Sequence, residues 1–393
     1  AWNAAREAAL AAGLARSTYL PRITATALGG YRASDRRATT AGVAVDDDSS
    51  AWGGTAVLSL QWLLFDFGQR KAVVESADQL TIAADIGFTA AHQRLIHEVS
   101  LAYFAYSDAR ARAEVASRSV ADAEAIQHAA EARFRSGVGT IIEVAQAKQA
   151  SAQARLTEVE AGGGVDDAYA ELLRAMGLPP FVKLAVARST PRPLPAALVR
   201  DAEQAVTEAL GRRPDVLAAY AVAQSREAGE RAAAAEFRPK VFVSGNGAYA
   251  TGDVSLSGLP AIGSGDAPTF NLTNRRLGAT LLGGITVPLF DGGARRTALA
   301  QAKLRSETAR LTLDQVRQDA ARQIVASQNR LKTSLAAYAA AEELRAAAQS
   351  AFDAALAAYR SGAGSSTELL IAERQLLEGR TLESASYHAA LER

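Results

Sequence analysis

Apolar residues recur along this chain with two different periods, and each period occurs twice. Between residues 70 and 134 they keep helical spacing: Val99, Ala102, Tyr106, Ala109, Ala113, Ala116, Val120 and Ala123 step by alternating threes and fours, which makes a heptad seam. Residues 295–359 repeat the design, with Ile324, Leu331, Phe352 and Tyr359 standing 225 positions after Val99, Tyr106, Gln127 and Phe134. No proline interrupts either stretch. A helix of about 65 residues is roughly 100 Å long and must pack along its side, in a coiled coil or a helical barrel. The many seam alanines favour close backbone approach.

The second period is two. Residues 21–34 alternate, with Ile23, Ala25, Ala27, Gly29 and Tyr31 on one face and Thr24, Thr26, Leu28 and Gly30 on the other. The same alternation returns in residues 240–251, where Tyr249 stands 218 positions after Tyr31. Each strand is followed by an expected polar loop, residues 35–54 with Asp46, Asp47 and Asp48, and residues 252–276. A returning strand comes next, residues 55–65 and 277–290. Leu58, Leu60, Trp62 and Leu64 share a face and are matched 225 positions on by Gly283, Ile285, Val287 and Leu289. Strands of about ten residues, apolar on one side and small or polar on the other, are the pattern of a transmembrane β-barrel, and a soluble antiparallel sheet shares it.

Two landmarks tie the periods into one duplication. Phe65-Asp66-Phe67-Gly68 opens the first long helix and Phe134-Arg135-Ser136-Gly137 closes it; Phe290-Asp291-Gly292-Gly293 and Tyr359-Arg360-Ser361-Gly362 do the same 225 positions later, without a gap. Repeat 1 is residues 1–187, with strands 21–34 and 55–65, a long helix 70–134 and a return helix 141–176. Repeat 2 is residues 188–393, with a helix 214–237, strands 240–251 and 277–290, a long helix 295–359 and a return helix 366–392. Proline-rich residues 177–211 link them, with a short helix over 201–210. Residues 1–18 read as the end of a helix broken at Pro21, whose start is expected upstream: Arg213 lies 26 positions before Pro239, and 20 residues precede Pro21. The elements are α+β, four strands with long coiled-coil helices in each chain, and the fold class is an α+β membrane protein where the strands are read as transmembrane. Four strands cannot close a barrel, and an open edge in lipid leaves backbone groups unpaired at several kcal/mol each. Two copies would give eight strands and three would give twelve.

Charge and composition narrow the function. A net charge of +1, with acids and bases interleaved along the helices, makes no case for nucleic acid. The absence of Cys removes disulfides, thiolate metal sites, a Cys nucleophile and, from these residues, a lipid-anchored N-terminal Cys. No run of 18 apolar residues forms an inner-membrane helix, and no signal peptide is visible. His92, His97, His128 and His388 lack metal-ligand spacing, and no nucleophile elbow, phosphate loop or dinucleotide fingerprint occurs. No catalytic, cofactor or metal residues are assigned. Asp66 and Asp291, each followed by a glycine at Gly68 and Gly293, stand at strand-to-helix corners, where an Asp side chain caps orphan helical N–H groups. Gly137 and Gly362 read as left-handed helix C-caps.

Taken in order, Tyr19-Leu20-Pro21, Phe65-Asp66-Phe67-Gly68, Arg213-Pro214-Asp215-Val216, Phe237-Arg238-Pro239, Val287-Pro288-Leu289-Phe290-Asp291-Gly292-Gly293 and the two Arg-Ser-Gly turns resemble the TolC-like outer-membrane factor family across essentially the whole chain. The resemblance implies a homotrimer in the Gram-negative outer membrane, with a 12-stranded β-barrel in lipid, a 12-helix tunnel through the periplasm and a mixed equatorial belt. It implies a passive exit duct of a tripartite efflux pump or a type I secretion system, energised by an inner-membrane transporter reached through a periplasmic adaptor. The alternative class is a periplasmic coiled-coil adaptor or scaffold protein, in which the strands would form a soluble domain; one helical hairpin with a lipoyl-like domain is usual there, and this chain carries two hairpins and four strands.

The resemblance also assigns residues. Arg135, Ser136 and Gly137, with Arg360, Ser361 and Gly362, match tips that dock adaptor hairpins. Glu143 and Glu368, 225 positions apart, lie just beyond the turns as candidate entrance groups. In the best-known member the Glu368 position holds one of two Asp residues that ring the closed entrance; here Ile371 replaces the second and Gly364 replaces a gate-linking Arg. A single ring of Glu368 would repel its own charges, raise the carboxylate pKa and favour cations.

Overall fold

The computed structural model describes residues 1–40, 43–187, 193–194, 202–251 and 277–392. In chain order the elements are α1 (Trp2–Ser17), β1 (Arg22–Thr40), β2 (Val43–Phe65), α2 (Gln69–Arg135), α3 (Ile141–Ala175), α4 (Ala202–Leu210), α5 (Pro214–Ala235), β3 (Lys240–Thr251), β4 (Leu277–Thr286), α6 (Ala294–Ser361) and α7 (Ser366–Leu391). They form two compact units, one of Ala1–Phe88 with Leu217–Val316 and one of Thr89–Val216 with Arg317–Arg393. Each unit draws on both repeats.

The first unit holds one antiparallel sheet in the order β1-β2-β3-β4. Its register sorts the side chains into two faces. Ile23 pairs with Leu60 and Leu60 with Gly245, which pairs with Leu281; Ala25, Leu58, Gly247 and Ala279 form the next row, and Trp62, Val243 and Gly283 another. These rows carry no charged or amide side chain. The opposite face collects Thr24, Ser59, Asn246 and Thr280 in one row and Arg22, Gln61, Ser244 and Leu282 in another, with Leu63, Phe242 and Gly284 in a further row. Ile23, Leu58, Leu277, Leu281 and Ile285 are all more than half exposed, so the apolar rows of the first face are open to their surroundings. Among the described residues β1 and β4 pair on one side only.

Two strand expectations are corrected. Residues 35–54, expected as a polar loop with Asp46–Asp48, continue the β1–β2 ladder to the pair Thr40 and Val43. A ladder bonds backbone groups whatever side chains they carry, so a polar composition does not end it. The strand expected to reach residue 290 stops at Thr286, because Pro288 has no N–H to give the ladder. The second polar loop, residues 252–276, and part of the linker 177–211 lie outside the described residues.

The helices of this unit lie against one another through specific polar contacts. Arg16 of α1 pairs with Asp78 of α2 at 2.9 Å; Ser225 of α5 meets Ser76 of α2 at 2.9 Å, and Arg310 of α6 pairs with Glu227 of α5. The two strand-to-helix corners repeat one device. Asp66 accepts from the N–H of Gly68 and Arg70 and from the Arg70 side chain; Asp291 accepts in the same way from Gly293 and Arg295. Each aspartate thus caps the first turn of its long helix and holds an arginine that turns back on the strand. Arg70 donates to the carbonyls of Thr18, Leu63 and Leu64 and stacks on Tyr19, whereas Arg295 donates to Pro288 and sits over Phe237. The first pair is buried and the second half-open.

In the second unit the seam of α2 is alanine-rich: Ala116, Ser119, Ala123, Ile126 and Ala130 are buried at alternating three- and four-residue steps. Ala116 and Ala123 belong to the sequence-derived seam, while Ser119 takes the buried place expected of Val120. Ile126 and Ala130 join Val144 and Ala147 of α3, Ala348, Phe352 and Tyr359 of α6, and Leu369, Ala372 and Leu376 of α7 in one core. This core seats the two helical turns.

Candidate functional site

The two helix-to-helix turns are built alike. At the end of α2, Gly137 takes φ 78°, its N–H bonds the carbonyl of Phe134, and the N–H groups of Val138 and Gly139 both bond that of Arg133. At the end of α6, Gly362 takes φ 84°, bonding Tyr359, while Ala363 and Gly364 bond Ala358. The left-handed backbone needs glycine at 137 and 362. The second glycine of each turn is set by space instead: a Cβ on Gly139 would sit 2.9 Å from the Phe134 nitrogen, and one on Gly364 would sit 3.1 Å from the Ala358 Cβ.

Around the turns Arg135, Ser136, Arg360 and Ser361 are exposed. Each serine hydroxyl donates back to its own helix, Ser136 to Arg133 and Ser361 to Ala358. Among the described residues neither Arg135 nor Arg360 donates a hydrogen bond, and Arg135 is one of the charges that, after the Gln127 hydrogen bond, help hold the Glu131 carboxyl below its ordinary range. The apolar surroundings differ. Val138, Ile141 and Ile142 are each more than 60% exposed beside the first turn, and the matching positions of the second are Ala363, Ser366 and Thr367.

Glu143 and Glu368 are brought to equivalent places and used differently. Thr140 and Ser365 cap their helices by accepting from the N–H of Glu143 and Glu368. Glu368 reaches back to the Ser365 N–H at 3.1 Å and completes a capping box. Hydrogen bonding to that backbone N–H holds the Glu368 carboxyl below its ordinary range, opposite in sign to the rise that a ring of like charges would give. Glu143 leaves its own backbone and accepts from the Tyr359 hydroxyl at 3.0 Å.

Tyr359 is the centre that sequence reasoning missed. It is 1% exposed, with its hydroxyl on Glu143, and its carbonyl accepts from Arg133 at 2.8 Å. The Arg133 guanidinium also lies over its ring, 4.7 Å from the centroid. Burial, then the neighbouring carboxylate, pushes the Tyr359 hydroxyl up to about 12. The two hairpins are therefore bolted together next to their turns. The signal was present in the duplication: Arg133 faces Ala358 and Tyr359 faces Phe134 across the 225-residue displacement, so each repeat supplies what the other lacks. The corner residues Asp66, Gly68, Asp291 and Gly293 belong to the other unit and have the capping geometry described above.

Comparison with known proteins places this architecture. The Outer membrane efflux protein family profile matches residues 1–178 and 205–388. The chain belongs to the outer membrane efflux protein family, whose members are Gram-negative outer-membrane channels extending into the periplasm. It is 29% identical over 318 residues to Protein CyaE of Bordetella pertussis, covering 80% of this chain and 62% of that protein. It is 28% identical over 311 residues to outer membrane protein OprJ of Pseudomonas aeruginosa, covering 78% and 61%. The chain thus spans somewhat under two thirds of these relatives. Its fold matches that of the channel protein CusC with a TM-score of 0.80 at 20% identity, over 99% of this chain and 85% of that one. It also matches outer membrane protein VceC of Vibrio cholerae with a TM-score of 0.77 at 20% identity, over 100% and 90%. The fold is that of the TolC-like outer-membrane channels.

Proposed function

We propose that three copies of this chain form an exit duct through the outer membrane, passively conducting substrate delivered by an inner-membrane transporter through a periplasmic adaptor, as in a tripartite efflux pump or a type I secretion system. The observation that carries the reading is the sheet register, which gathers apolar rows across four strands on one face and, among the described residues, leaves β1 and β4 paired on one side only. Lipid is the solvent such a face suits, and only closure with further copies satisfies the edges there. Three copies give the 12 strands that leave a passage, with Thr24, Ser59, Gln61, Ser244, Asn246 and Thr280 lining it.

The turns are the adaptor-docking tips in this reading. Exposed Arg135 and Arg360 supply charge, and the exposed Val138, Ile141 and Ile142 supply apolar contact on one hairpin. Glu368, kept ionised by its capping box, is the entrance carboxylate; Glu143 serves the bolt to Tyr359 instead. Mass measurement of the detergent-purified protein, followed by reconstitution in planar bilayers, tests the core of the proposal. A trimer that conducts is expected; a water-soluble monomer that forms no pores would overturn it.

A further inference from the structure

The displacement of 218 positions that aligns the first strands of the two repeats keeps a proline and a cation and drops a counter-ion. Pro21 falls on Pro239, Arg22 on Lys240 and Thr18 on Glu236. In the second repeat the charge is answered: Lys240 Nζ lies 3.0 Å from the Glu236 carboxylate, which also accepts from the Gln69 side chain. In the first repeat Thr18 stands where that carboxylate would be, and its hydroxyl donates to the Ala15 carbonyl at 2.6 Å. Arg22 is exposed and pairs with no carboxylate among the described residues.

The register fixes the side of the sheet on which this charge stands. Arg22 is opposite Gln61, in the row of Ser244 and Leu282, on the face turned away from Ile23, Leu60 and Leu281. Among the described side chains of that face only Arg22 and Lys240 are charged, and Lys240 is the one already neutralised. Closing a barrel from copies of this chain does not bring Arg22 an acid. The strand that can join β1 is β4 of a neighbouring copy, because those two edges are paired on one side only. Leu277–Thr286 contains no Asp or Glu, nor do residues 287–290. Asp291, next along the chain, is committed to the N–H groups of Gly293 and Arg295 and to the Arg295 side chain. Each copy therefore brings one unanswered positive charge to this level of the barrel's inner wall.

We propose that Arg22, one from each copy, forms a ring of positive charge in the lumen of the β-barrel and is the position at which the duct selects for multiply charged anions, solutes bearing phosphate or several carboxylates. The inference deepens the duct reading and rests on it, since that reading makes this face the lumen. A fixed charge on a low-dielectric wall focuses its field into the enclosed water and raises the local concentration of counter-ions by about tenfold or more. Its neighbours in the row, Gln61, Ser244 and Leu282, are neutral. An anion is thus drawn in by charge and released again, as conduction requires. The field spans a lumen at low salt, where the Debye length is about 30 Å at 0.01 M, and collapses onto the wall at 1 M, where it is about 3 Å.

Block of single channels by tripolyphosphate tests it, with the detergent-purified protein in planar bilayers at about 0.01 M salt. Wild-type pores are expected to be blocked, Arg22→Gln to need roughly tenfold or more blocker, Arg22→Lys to retain most of the block, and Arg22→Glu to lose it and shift the reversal potential toward cations. At about 1 M salt all four should conduct alike, and all four should keep the same oligomeric mass. Block by tripolyphosphate that is equal in the wild type and Arg22→Gln, or lost as fully in Arg22→Lys as in Arg22→Gln, would overturn the charge ring while leaving the duct standing. A wild-type protein that passes no current at either salt concentration would overturn the duct reading, and the ring with it.

Discussion

The two helical hairpins began as the same object and are now a matched pair of unlike parts. Both end in a glycine-capped turn of one backbone design, with two bonds closing on the residue before the aromatic. The first adds Arg133 and an exposed apolar cluster at Val138, Ile141 and Ile142. The second adds the Tyr359 hydroxyl and a complete capping box at Ser365 and Glu368. Duplication preserves what the backbone needs, and the side chains are then free to divide the work.

The strongest blow to this pairing is a carboxylate at the turns. Gly137→Glu or Gly362→Glu places a side chain on backbone at φ 78° or 84°, a strain of about 1–2 kcal/mol, and puts an anion between the outward arginines. Export from cells is expected to fall to background with the oligomer still assembled, as read by a transport assay beside mass measurement. Normal export in both variants would mean that the turns are not the docking surface.

The next largest effect is expected from Arg133→Ala, which removes a charge-assisted hydrogen bond and a cation–π contact between the hairpins, about 1.5–3 kcal/mol. Amide exchange in residues 358–364 should speed by roughly tenfold or more.

Tyr359→Phe sharpens the comparison further, because Phe is what the first repeat already has at residue 134. It should cost about 1 kcal/mol through the lost bond to Glu143. The reverse change, Phe134→Tyr, should stay within about 0.5 kcal/mol because residue 134 is exposed. The pH dependence follows from the raised hydroxyl. The folded protein favours the neutral phenol, so this contribution is whole below the ordinary tyrosine value of 10.0 and is lost as pH rises toward about 12. Tyrosinate absorbance should show a last-titrating component that Tyr359→Phe removes.

The smallest expected change is electrical. Glu368→Gln removes one exposed charge per chain at the proposed entrance, and cation selectivity in planar bilayers at low salt should weaken several-fold less than a buried ring would predict, fading further as salt screens it. Glu143→Gln should leave selectivity alone and loosen the Tyr359 contact instead. Equal electrical effects at the two positions would contradict their different bonding.

Much of this protein is written in local order. Periods of two and of three-and-four, the ungapped displacement of 225 residues, the capping aspartates and the turn glycines all depend on neighbours a few residues apart, so the chain alone determined its helices, its strand faces, its duplication and its family. Polar composition misled at residues 35–54, since a strand's ladder is a backbone property and only the partner strand settles where it ends. Pro288 could have marked the end of β4 in advance, because its missing N–H is local. The meeting of Arg133, Glu143 and Tyr359, and the different fates of Glu143 and Glu368, were decided by tertiary structure. Those contacts join residues more than two hundred positions apart, and a carboxylate chooses between its own backbone and a distant hydroxyl only once packing has brought that hydroxyl within reach.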